Sequence, residues 1–249
     1  MPGPRDATTQ RRAELLDAVR GPGGGIGELA ERFGVSASTI RRDLAELAQQ
    51  GHVVRTYGGA LDSGHRVERT LREKDASRSV EKDRIARAAA RHVRDGDTVL
   101  LDAGTTTGRL ARHLSDRADL TVVTNGLTVL LALAESPHVE VVVLGGRLRR
   151  PNEAILGHTA ERELRHIAPD RAFLGADGVT TRGVNCPTLD QSHLKHAMLH
   201  ASEDPWILAD HGKFGAAQFP YWTPVDRECR LLVDAQVDHV PANCSVHFA

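Results

Sequence analysis

Six short apolar runs in the second part of the chain constrain its fold more than any other feature. They are TVLLD, LTVVT, VEVVVLG, RAFLGAD, PWILAD and CRLLVD, which end at Asp102, Thr124, Gly145, Asp177, Asp210 and Asp234. Helical segments separate the runs, and continuous Val and Leu runs are typical of parallel strands buried on both faces. The sequence therefore predicts an α/β fold with a doubly wound, mainly parallel sheet over residues 81–249.

Glycine and polar residues follow the predicted strands at the point where each strand ends. After the first strand, Gly104 lets a ligand approach the backbone, and a helix that begins near Gly108 directs its positive end to the same point. Since open α/β sheets bind ligands beyond the carboxyl ends of their strands, we predict a pocket there for a small anion. Its candidate residues are Gly104, Thr105, Thr106, Thr107, Asn125, Gly146, Asp177, Asp210 and Lys213.

In the first sixty residues, the most informative stretch is VSASTIRRDLAEL, from Val35 to Leu47. Ser36 is placed to cap a helix whose apolar positions recur at helical spacing. Four residues near the start of this helix lie off the apolar stripe: Ser38, Thr39, Arg41 and Arg42. Short hydroxyl donors and guanidinium groups suit phosphate oxygens and base edges, so the stretch predicts a helix that contacts DNA through these four residues and Ser36.

Short elements flank this helix. The segment ELAERFG before it predicts a helix that ends at Gly34, and HVVRTYGGA after it predicts a β-hairpin. Arg55 and Tyr57 of the hairpin either touch the DNA backbone or minor groove or belong to a plain surface turn. Asp43 is expected to pair with a nearby arginine, because DNA phosphates would repel an exposed carboxylate.

Composition narrows the class of protein without deciding it. The 249-residue chain has a net charge of −1, but arginines outnumber acidic residues in the first sixty positions. No run is long enough to span a membrane and no signal-peptide core is present, so we expect a cytoplasmic protein. The cysteines Cys186, Cys229 and Cys244 lie far apart along the chain, and we expect reduced thiols.

Three histidines on one predicted helix, His193, His196 and His200, raise the question of a metal site. Such a site needs further ligands, and the sequence places no carboxylate or cysteine at a matching position, although Asp210 lies next to His211. Because the chain has 13 histidines, we interpret the group as chance and expect neither a metal nor another cofactor.

Several motifs together resemble those of the DeoR family of transcriptional regulators, in the same order and over nearly the whole chain. They are ELAERFGVSASTIRRDLAEL with YGGA, followed by EKDRIARAAA, LDAGTTT, VVTNG, LGGR, FLGADGV and LADHGKFG. The resemblance implies a winged helix-turn-helix domain and an effector-sensing domain similar in fold to sugar-phosphate isomerases and CoA transferases. It also implies a repressor of carbohydrate genes that a phosphorylated sugar, or a related metabolite, releases from a double-stranded DNA operator.

The resemblance also assigns roles within the pocket. It implies that the phosphate end is held by Asp102, Gly104, Thr105 and Thr106, and that the remainder is lined by Asn125, Gly146, Asp177, Lys195, Asp210 and Lys213. One position departs from the family pattern, because Gln191 stands where an acidic residue is common, four positions before Lys195. The missing carboxylate implies either an altered sugar specificity or a different effector.

We divide the chain into a winged helix-turn-helix DNA-binding domain over residues 1–60, a linker over 61–80 and an effector-sensing domain over 81–249. We expect a dimer or a tetramer, because one recognition helix buries too little surface to be specific alone.

Two other functions compete with a ligand-responsive repressor. An aldose–ketose sugar-phosphate isomerase would use Asp177 or Asp210 as a general base and Lys213 as an electrostatic partner, but it leaves the first sixty residues without a role. A protein-interaction module explains neither the arginines nor the residues at the strand ends. A regulator accounts for both halves of the chain.

Overall fold

The structure is a computed structural model that describes residues 11–12, 14–15, 18, 26–49, 53–56, 59–62, 68–215 and 219–249. Its internal contacts divide the chain into two units, residues 1–67 and residues 68–249. The smaller unit is helical with one hairpin, and the larger unit is built on a parallel sheet. This architecture confirms the predicted fold class.

Helices and a hairpin make up the described part of the smaller unit. The described positions between 11 and 18 are helical, and they are followed by α1 (Ile26–Arg32), α2 (Ala37–Gln49), β1 (Val53–Thr56) and β2 (Gly59–Asp62). One apolar core joins the helical stretches through Leu15, Ala18, Leu29, Ile40, Leu44 and Leu47. Gly34 ends α1 as predicted, with a φ of +61° in the left-handed region that glycine adopts without strain.

The start of α2 also agrees with the sequence. The Oγ atom of Ser36 accepts a hydrogen bond from the amide of Thr39 at 3.1 Å, which caps the first turn. Asp43 is buried and accepts hydrogen bonds from Nε of Arg11 at 2.8 Å and Nε of Arg12 at 2.9 Å. The predicted pairing of Asp43 with arginine is therefore confirmed, and the carboxylate joins α2 to the helical stretch that contains Arg11 and Arg12.

Helices and strands alternate through the larger unit. Its helices are α3 (Leu71–Ala76), α4 (Ser79–Ala90), α5 (Thr105–Leu114), α6 (Leu127–Leu133), α7 (His158–Leu164) and α8 (Leu189–Ala201), with a 3₁₀ turn at His211–Lys213. Its strands are β3 (Thr98–Leu101), β4 (Leu120–Thr124), β5 (Val139–Val143), β6 (Arg147–Arg149), β7 (Ala154–Leu156), β8 (Arg171–Gly175), β9 (Gly178–Thr180), β10 (Gly183–Cys186), β11 (Asp204–Leu208), β12 (Tyr221–Thr223), β13 (Cys229–Val233) and β14 (Cys244–Phe248). Among the described helices of both units, none has the length and apolar character to cross a membrane.

A parallel sheet of seven strands, in the order β14-β13-β11-β8-β3-β4-β5, forms the centre of the larger unit. Each of the six apolar runs contributes one of its strands, which confirms the predicted parallel sheet. The seventh strand, β14, is not predicted, because its sequence CSVHF has no continuous apolar run. Ser245, Val246 and Phe248 are exposed on this edge strand, which pairs only with β13.

Apolar side chains cover both faces of the sheet and form two cores. Helices α4, α5 and α6 cover one face through Ile85, Leu110 and Val129, which pack with Phe173 and Trp206 of the strands. Helices α7 and α8 cover the other face through Leu164 and Leu194, which pack with Leu100, Leu174 and Ile207. Coverage of both faces is the doubly wound arrangement, and it leaves the carboxyl ends of the strands free to form a site.

Two small antiparallel sheets flank the main sheet, namely β6-β7 and β12-β10-β9. The sequence does not predict them, because their strands are only three or four residues long.

The structure differs from the predicted linker over residues 61–80. Residues 59–62 form β2, while residues 68–80 belong to the larger unit and contain α3 and the start of α4. A capping box fixes the start of α3, in which the amide of Thr70 donates to the Glu73 carboxylate at 2.7 Å. Arg109 of α5 holds Asp75 through an ion pair of 2.8 Å. Local capping and ion pairs thus order a polar segment that has few apolar residues.

The register of β13 and β14 brings two of the three cysteines together. Cys229 lies directly across from Cys244, and their Sγ atoms are 2.7 Å apart, although the three cysteines are free thiols. Distance along the chain is a wrong guide here, because parallel pairing brings these two residues side by side.

Candidate functional site

A cleft opens at the carboxyl ends of β3, β8 and β11, where the sequence predicts an anion pocket. The empty space inside it, counting the part open to solvent, is about 580 Å³. Seven of the predicted effector residues line it: Gly104, Thr105, Thr106, Asp177, Lys195, Asp210 and Lys213.

The first turn of α5 forms one wall of this cleft. Gly104 is the N-cap residue and no side chain caps the helix, so the amides of the first turn are available to a ligand. The hydroxyl-bearing residues Thr105 and Thr106 line the cleft at the same end. Amide groups, hydroxyl groups and the positive end of the helix together favour an anion.

Thr107 has a different role from its two neighbours. Its side chain is fully buried, and Oγ1 donates to the carbonyl oxygen of Asp102 at 2.8 Å and to that of Gly104 at 3.2 Å. The structure therefore places Thr107 behind the cleft, where it stabilises the turn between β3 and α5.

Asp102 and Lys195 form a buried ion pair beneath the cleft. Lys195 also donates to the carbonyl oxygen of Gly175 at 2.7 Å, while the amide of Gly175 donates to Asp102 at 2.9 Å. Burial would lower the pKa of Lys195, but the Asp102 carboxylate outweighs burial and holds that pKa above its usual value. Asp102 thus lies behind Lys195 and positions its charged amine at the cleft.

Asp177 reaches the cleft from the segment after β8 and is held by Lys74 of α3 at 2.7 Å. Lys74 also pairs with Glu68 at 3.2 Å. Burial would raise the pKa of Asp177, but the amines of Lys74 and Lys213 outweigh burial and keep this pKa below its usual value. Asp177 is therefore an ionised hydrogen-bond acceptor at neutral pH.

Lys82 is a residue of the cleft that sequence analysis misses. Its amine is buried and donates to the carbonyl oxygens of Lys74 and Ser77, at the turn between α3 and α4. Burial first, and then repulsion from Lys213, lowers the pKa of Lys82 to about 8. One signal could have found it, because Lys82 falls on the buried stripe of α4 that Ile85 and Ala86 define by helical spacing.

Asp210 and Lys213 enclose a 3₁₀ turn at another edge of the cleft. The carboxylate of Asp210 accepts a hydrogen bond from the amide of Gly212 at 3.1 Å and lies 3.4 Å from Nε of Arg78. The amine of Lys213 makes no hydrogen bond or ion pair with any of the residues that the structure describes. It is thus a cation at the cleft that a bound anion can use.

The balance of charge in the cleft is positive. Lys74, Lys82, Lys195 and Lys213 line it, against the carboxylates of Asp177 and Asp210. Sequence analysis also misses the amide side chains of Asn152 and Asn185 there, and it gives Gln191 only as a departure from the family pattern. Since Nδ2 of Asn152 donates to Oε1 of Gln191 at 2.9 Å, these two amides form one polar wall.

Two further predicted effector residues, besides Asp102 and Thr107, do not line the main cleft. The side-chain amide of Asn125 accepts from the amide of Ala103 at 3.0 Å and donates to the carbonyl oxygen of Ile155 at 3.1 Å. Gly146 has a φ of +150°, and a Cβ atom there would lie 2.6 Å from the carbonyl oxygen of Leu156. The structure therefore places Asn125 and Gly146 in supporting positions, where they hold the loops that surround the cleft.

In the smaller unit, α2 presents the predicted DNA-contact residues. Ser38, Arg41 and Arg42 are exposed, whereas Thr39 is half-buried and shares a hydroxyl contact of 2.8 Å with Ser36. Arg55 lies on β1 of the hairpin. The predicted contact at position 57 lies outside the described residues.

A helix-turn-helix unit with exposed arginines, joined in one chain to an α/β unit with a cationic cleft, defines a class of DNA-binding regulator that carries a small-molecule sensor. Comparison with known families agrees with this class. Residues 77–235 match the DeoR C-terminal sensor domain, and residues 11–63 match the DeoR-like helix-turn-helix domain. The chain belongs to the DeoR family, and it is a transcriptional regulator.

Similar proteins carry regulatory names. The putative aga operon transcriptional repressor of Escherichia coli O157:H7 is 34% identical over 95% of this chain and 88% of that protein. The glycerol-3-phosphate regulon repressor of Escherichia coli K12 is 32% identical over 83% of each chain. Among solved structures, ribose 5-phosphate isomerase A from Methanocaldococcus jannaschii is 17% identical over 55% of each chain, with a TM-score of 0.41.

Proposed function

We propose that this regulator is a repressor of carbohydrate genes that binds operator DNA through α2 and is released when the cleft binds a phosphorylated sugar or a related anion. The observation that carries this proposal is the anion cradle of the cleft, in which the uncapped first turn of α5 is accompanied by the amine of Lys213, which pairs with none of the described residues. The names of the two bacterial repressors support repression, and that of the glycerol-3-phosphate regulon repressor supports a link to a small phosphorylated metabolite.

The phosphate group would lie at the first turn of α5. Gly104 lets the backbone approach, Thr105 and Thr106 supply hydroxyl donors, and Lys213 supplies a charge. Hydrogen bonds to a charged oxygen are roughly twice as strong as neutral ones, so this end of the cleft provides most of the affinity.

The other end of the cleft would bind the sugar hydroxyls. Asp177 accepts hydrogen bonds, while Asn152 and Gln191 can both donate and accept them. In place of the acidic residue that the family commonly has, Gln191 presents a neutral amide that is already paired with Asn152. This wall therefore selects a ligand without an ammonium group at that point, such as a neutral polyol chain.

Operator recognition would depend on exposed residues of α2 and on assembly. Arg41 and Arg42 suit guanine edges or phosphates, and Ser38 and Thr39 suit phosphates, with Arg55 and Tyr57 of the hairpin at the backbone or minor groove. A dimer or tetramer in the cytoplasm would present paired α2 helices to successive major grooves.

Relief of repression requires the effector to bind the DNA-competent and the DNA-incompetent states of the protein with different free energies. To weaken DNA binding a hundredfold, the effector must bind the DNA-incompetent state more tightly by about 2.7 kcal/mol. One phosphate group, held by amides, threonines and a lysine, is able to supply this difference.

The decisive experiment measures binding of the purified protein to DNA from upstream of its own coding region, by fluorescence anisotropy at several salt concentrations. We expect salt-sensitive binding that a member of a phosphosugar panel reverses. A thermal-shift screen of the same panel identifies the ligand, because an effector well above its dissociation constant stabilises the folded state by several kcal/mol. Absence of any salt-sensitive binding to that DNA would refute the proposal.

We propose a role without catalysis for the cleft. The lowered pKa of Asp177 makes its carboxylate a weak base at neutral pH, which disfavours the isomerase alternative. A turnover assay with pentose and hexose phosphates tests this point. Isomerisation of any of them would favour the isomerase over a cleft without catalysis.

A further inference from the structure

Two histidines and an aspartate meet on the surface of the larger unit, and none of the three lines the cleft. His196 and His200 lie one helical turn apart on α8, and Asp226 lies before β13. Nε2 of His196 is 3.1 Å from Oδ2 of Asp226, and Nε2 of His200 is 2.8 Å from Oδ1. One ligand atom of each residue lies within 4.8 Å of the other two.

The structure supplies the carboxylate whose absence beside the histidines led to their interpretation as a chance group. Sequence analysis finds no carboxylate beside them, because Asp226 is 26 residues beyond His200 along the chain. His193, which the sequence groups with them, is not part of the cluster.

We propose that His196, His200 and Asp226 bind a divalent first-row transition metal ion, such as Zn²⁺, through both Nε2 atoms and a carboxylate oxygen. Bonds from zinc to these ligands are about 2.0–2.2 Å long, which places neighbouring ligand atoms of a tetrahedral site roughly 3.3–3.6 Å apart. The histidine–aspartate distances of 3.1 and 2.8 Å are a few tenths of an ångström shorter, so small side-chain rotations would admit the ion. Two imidazoles with one carboxylate favour Zn²⁺, Co²⁺, Ni²⁺ or Cu²⁺ over Mg²⁺ and Ca²⁺, which prefer oxygen ligands.

The local structure holds the three ligands in place. Nη1 of Arg227 donates to the carbonyl oxygens of Leu199 at 3.2 Å and Ser202 at 2.9 Å, at the end of α8. These bonds attach the segment that carries Asp226 to the helix that carries both histidines. The ligand side chains remain 37–51% exposed, so they can rotate by small amounts and leave coordination positions to water.

Binding exchanges hydrogen bonds for metal bonds. The nitrogen atoms of His196 and His200 that now lie against the carboxylate must be unprotonated to bind the ion, so protons leave as it enters. The ion would then join α8 to the segment before β13, and this cross-link is expected to stabilise the larger unit.

The test is isothermal titration of the full chain, without a histidine tag, with ZnCl₂ near pH 7.5. We expect one ion per chain, and at least about tenfold weaker binding for His200→Asn and for Asp226→Asn. The matched control is His193→Asn, on the same helix and exposed but outside the cluster, which should bind like the wild type. Titration with Co²⁺ adds an absorption spectrum that reports nitrogen and oxygen ligands and distinguishes them from thiolate.

The outcomes separate the proposal from adventitious binding. If His200→Asn and Asp226→Asn bind Zn²⁺ as tightly as the wild type, or if the wild type binds none, the proposed site is wrong. Thiolate bands with Co²⁺, lost in Cys229→Ser, would place the ion at the cysteine pair and would also overturn it. Since Asp226 is half exposed, its replacement should leave the fold intact, and circular dichroism checks this for each variant.

Discussion

At the scale of single residues, Arg41 and Arg42 are adjacent and exposed, yet they need not do the same thing. A guanidinium group that reads a base contributes about 1–3 kcal/mol on the operator alone, whereas one that contacts phosphate contributes on every sequence. We expect one of the variants Arg41→Ala and Arg42→Ala to lose affinity for the operator alone, and the other to lose affinity for every DNA sequence. Anisotropy measurements on operator and scrambled DNA decide it, and unchanged affinity for both DNAs would remove that arginine from the interface.

Asp43 carries a prediction about stability. Its buried carboxylate accepts hydrogen bonds from Arg11 and Arg12, so Asp43→Asn leaves two guanidinium groups without their charged partner. We expect the free energy of unfolding of the smaller unit to fall by about 1–3 kcal/mol. Urea denaturation followed by circular dichroism measures it, with the exposed Glu31→Gln as the matched control; equal midpoints for both variants would contradict the assignment.

Lys82 predicts a dependence of anion binding on pH. Its pKa of about 8 means that its positive charge is lost as pH rises from 7 to 9, so anions should bind more weakly at the higher pH. Sulfate is the suitable probe, because it remains a dianion across this range. We expect roughly tenfold weaker sulfate binding at pH 9 than at pH 7. Lys82→Met should show weaker binding with little change over this range, and an unaltered pH profile in that variant would exclude Lys82.

At the scale of elements, the first turn of α5 is a separable part of the sensor. Thr105→Val with Thr106→Val keeps the shape of both side chains and removes both hydroxyl donors. We expect DNA binding to remain and effector response to disappear, because α2 belongs to the other unit. Anisotropy with and without the phosphosugar found by screening measures this, and normal release of DNA by the double variant would move the phosphate elsewhere.

Elements differ in how well the sequence predicts them, and the reason is physical. Strands β3, β4 and β8 are buried on both faces, and their continuous apolar runs show it. The edge strand β14 and the short strands β6 and β9 carry no such pattern, since few of their side chains enter a core. The sequence does not predict ion pairs between distant residues either. Lys74 contacts Asp177, about a hundred residues further along the chain, only in the folded protein.

The residues of the pocket also differ in how well the sequence predicts them. Strand-end residues such as Gly104, Thr106 and Asp210 could be placed in it from the sequence, because parallel strands end at one edge of a sheet. For Lys82 the sequence could show only that it falls on the buried stripe of α4, because the approach of this helix to that edge depends on packing. Thr107 shows the opposite failure, since a motif of three threonines does not tell which hydroxyl the backbone uses.

At the scale of the whole molecule, the proposed relief of repression requires the DNA site and the effector site to influence one another reciprocally. If effector weakens DNA binding by a given factor, DNA weakens effector binding by the same factor. We expect Lys213→Ala to reduce effector affinity while leaving DNA affinity in the absence of effector unchanged. Titrating effector into free and DNA-bound protein measures both factors, and unequal factors would mean that a further state takes part.

The turn between α3 and α4 gives the cleft a direct connection to the main chain that precedes it. The amine of Lys82 has three protons, and it already donates to two carbonyl oxygens of this turn. An anion that enters the cleft would accept the third proton and draw the amine towards itself, which would weaken its bonds to these oxygens and the attachment of α3. Residue 68 begins the larger unit just before α3. A change in the position of α3 would therefore act on the chain segment that connects the larger unit to the smaller one.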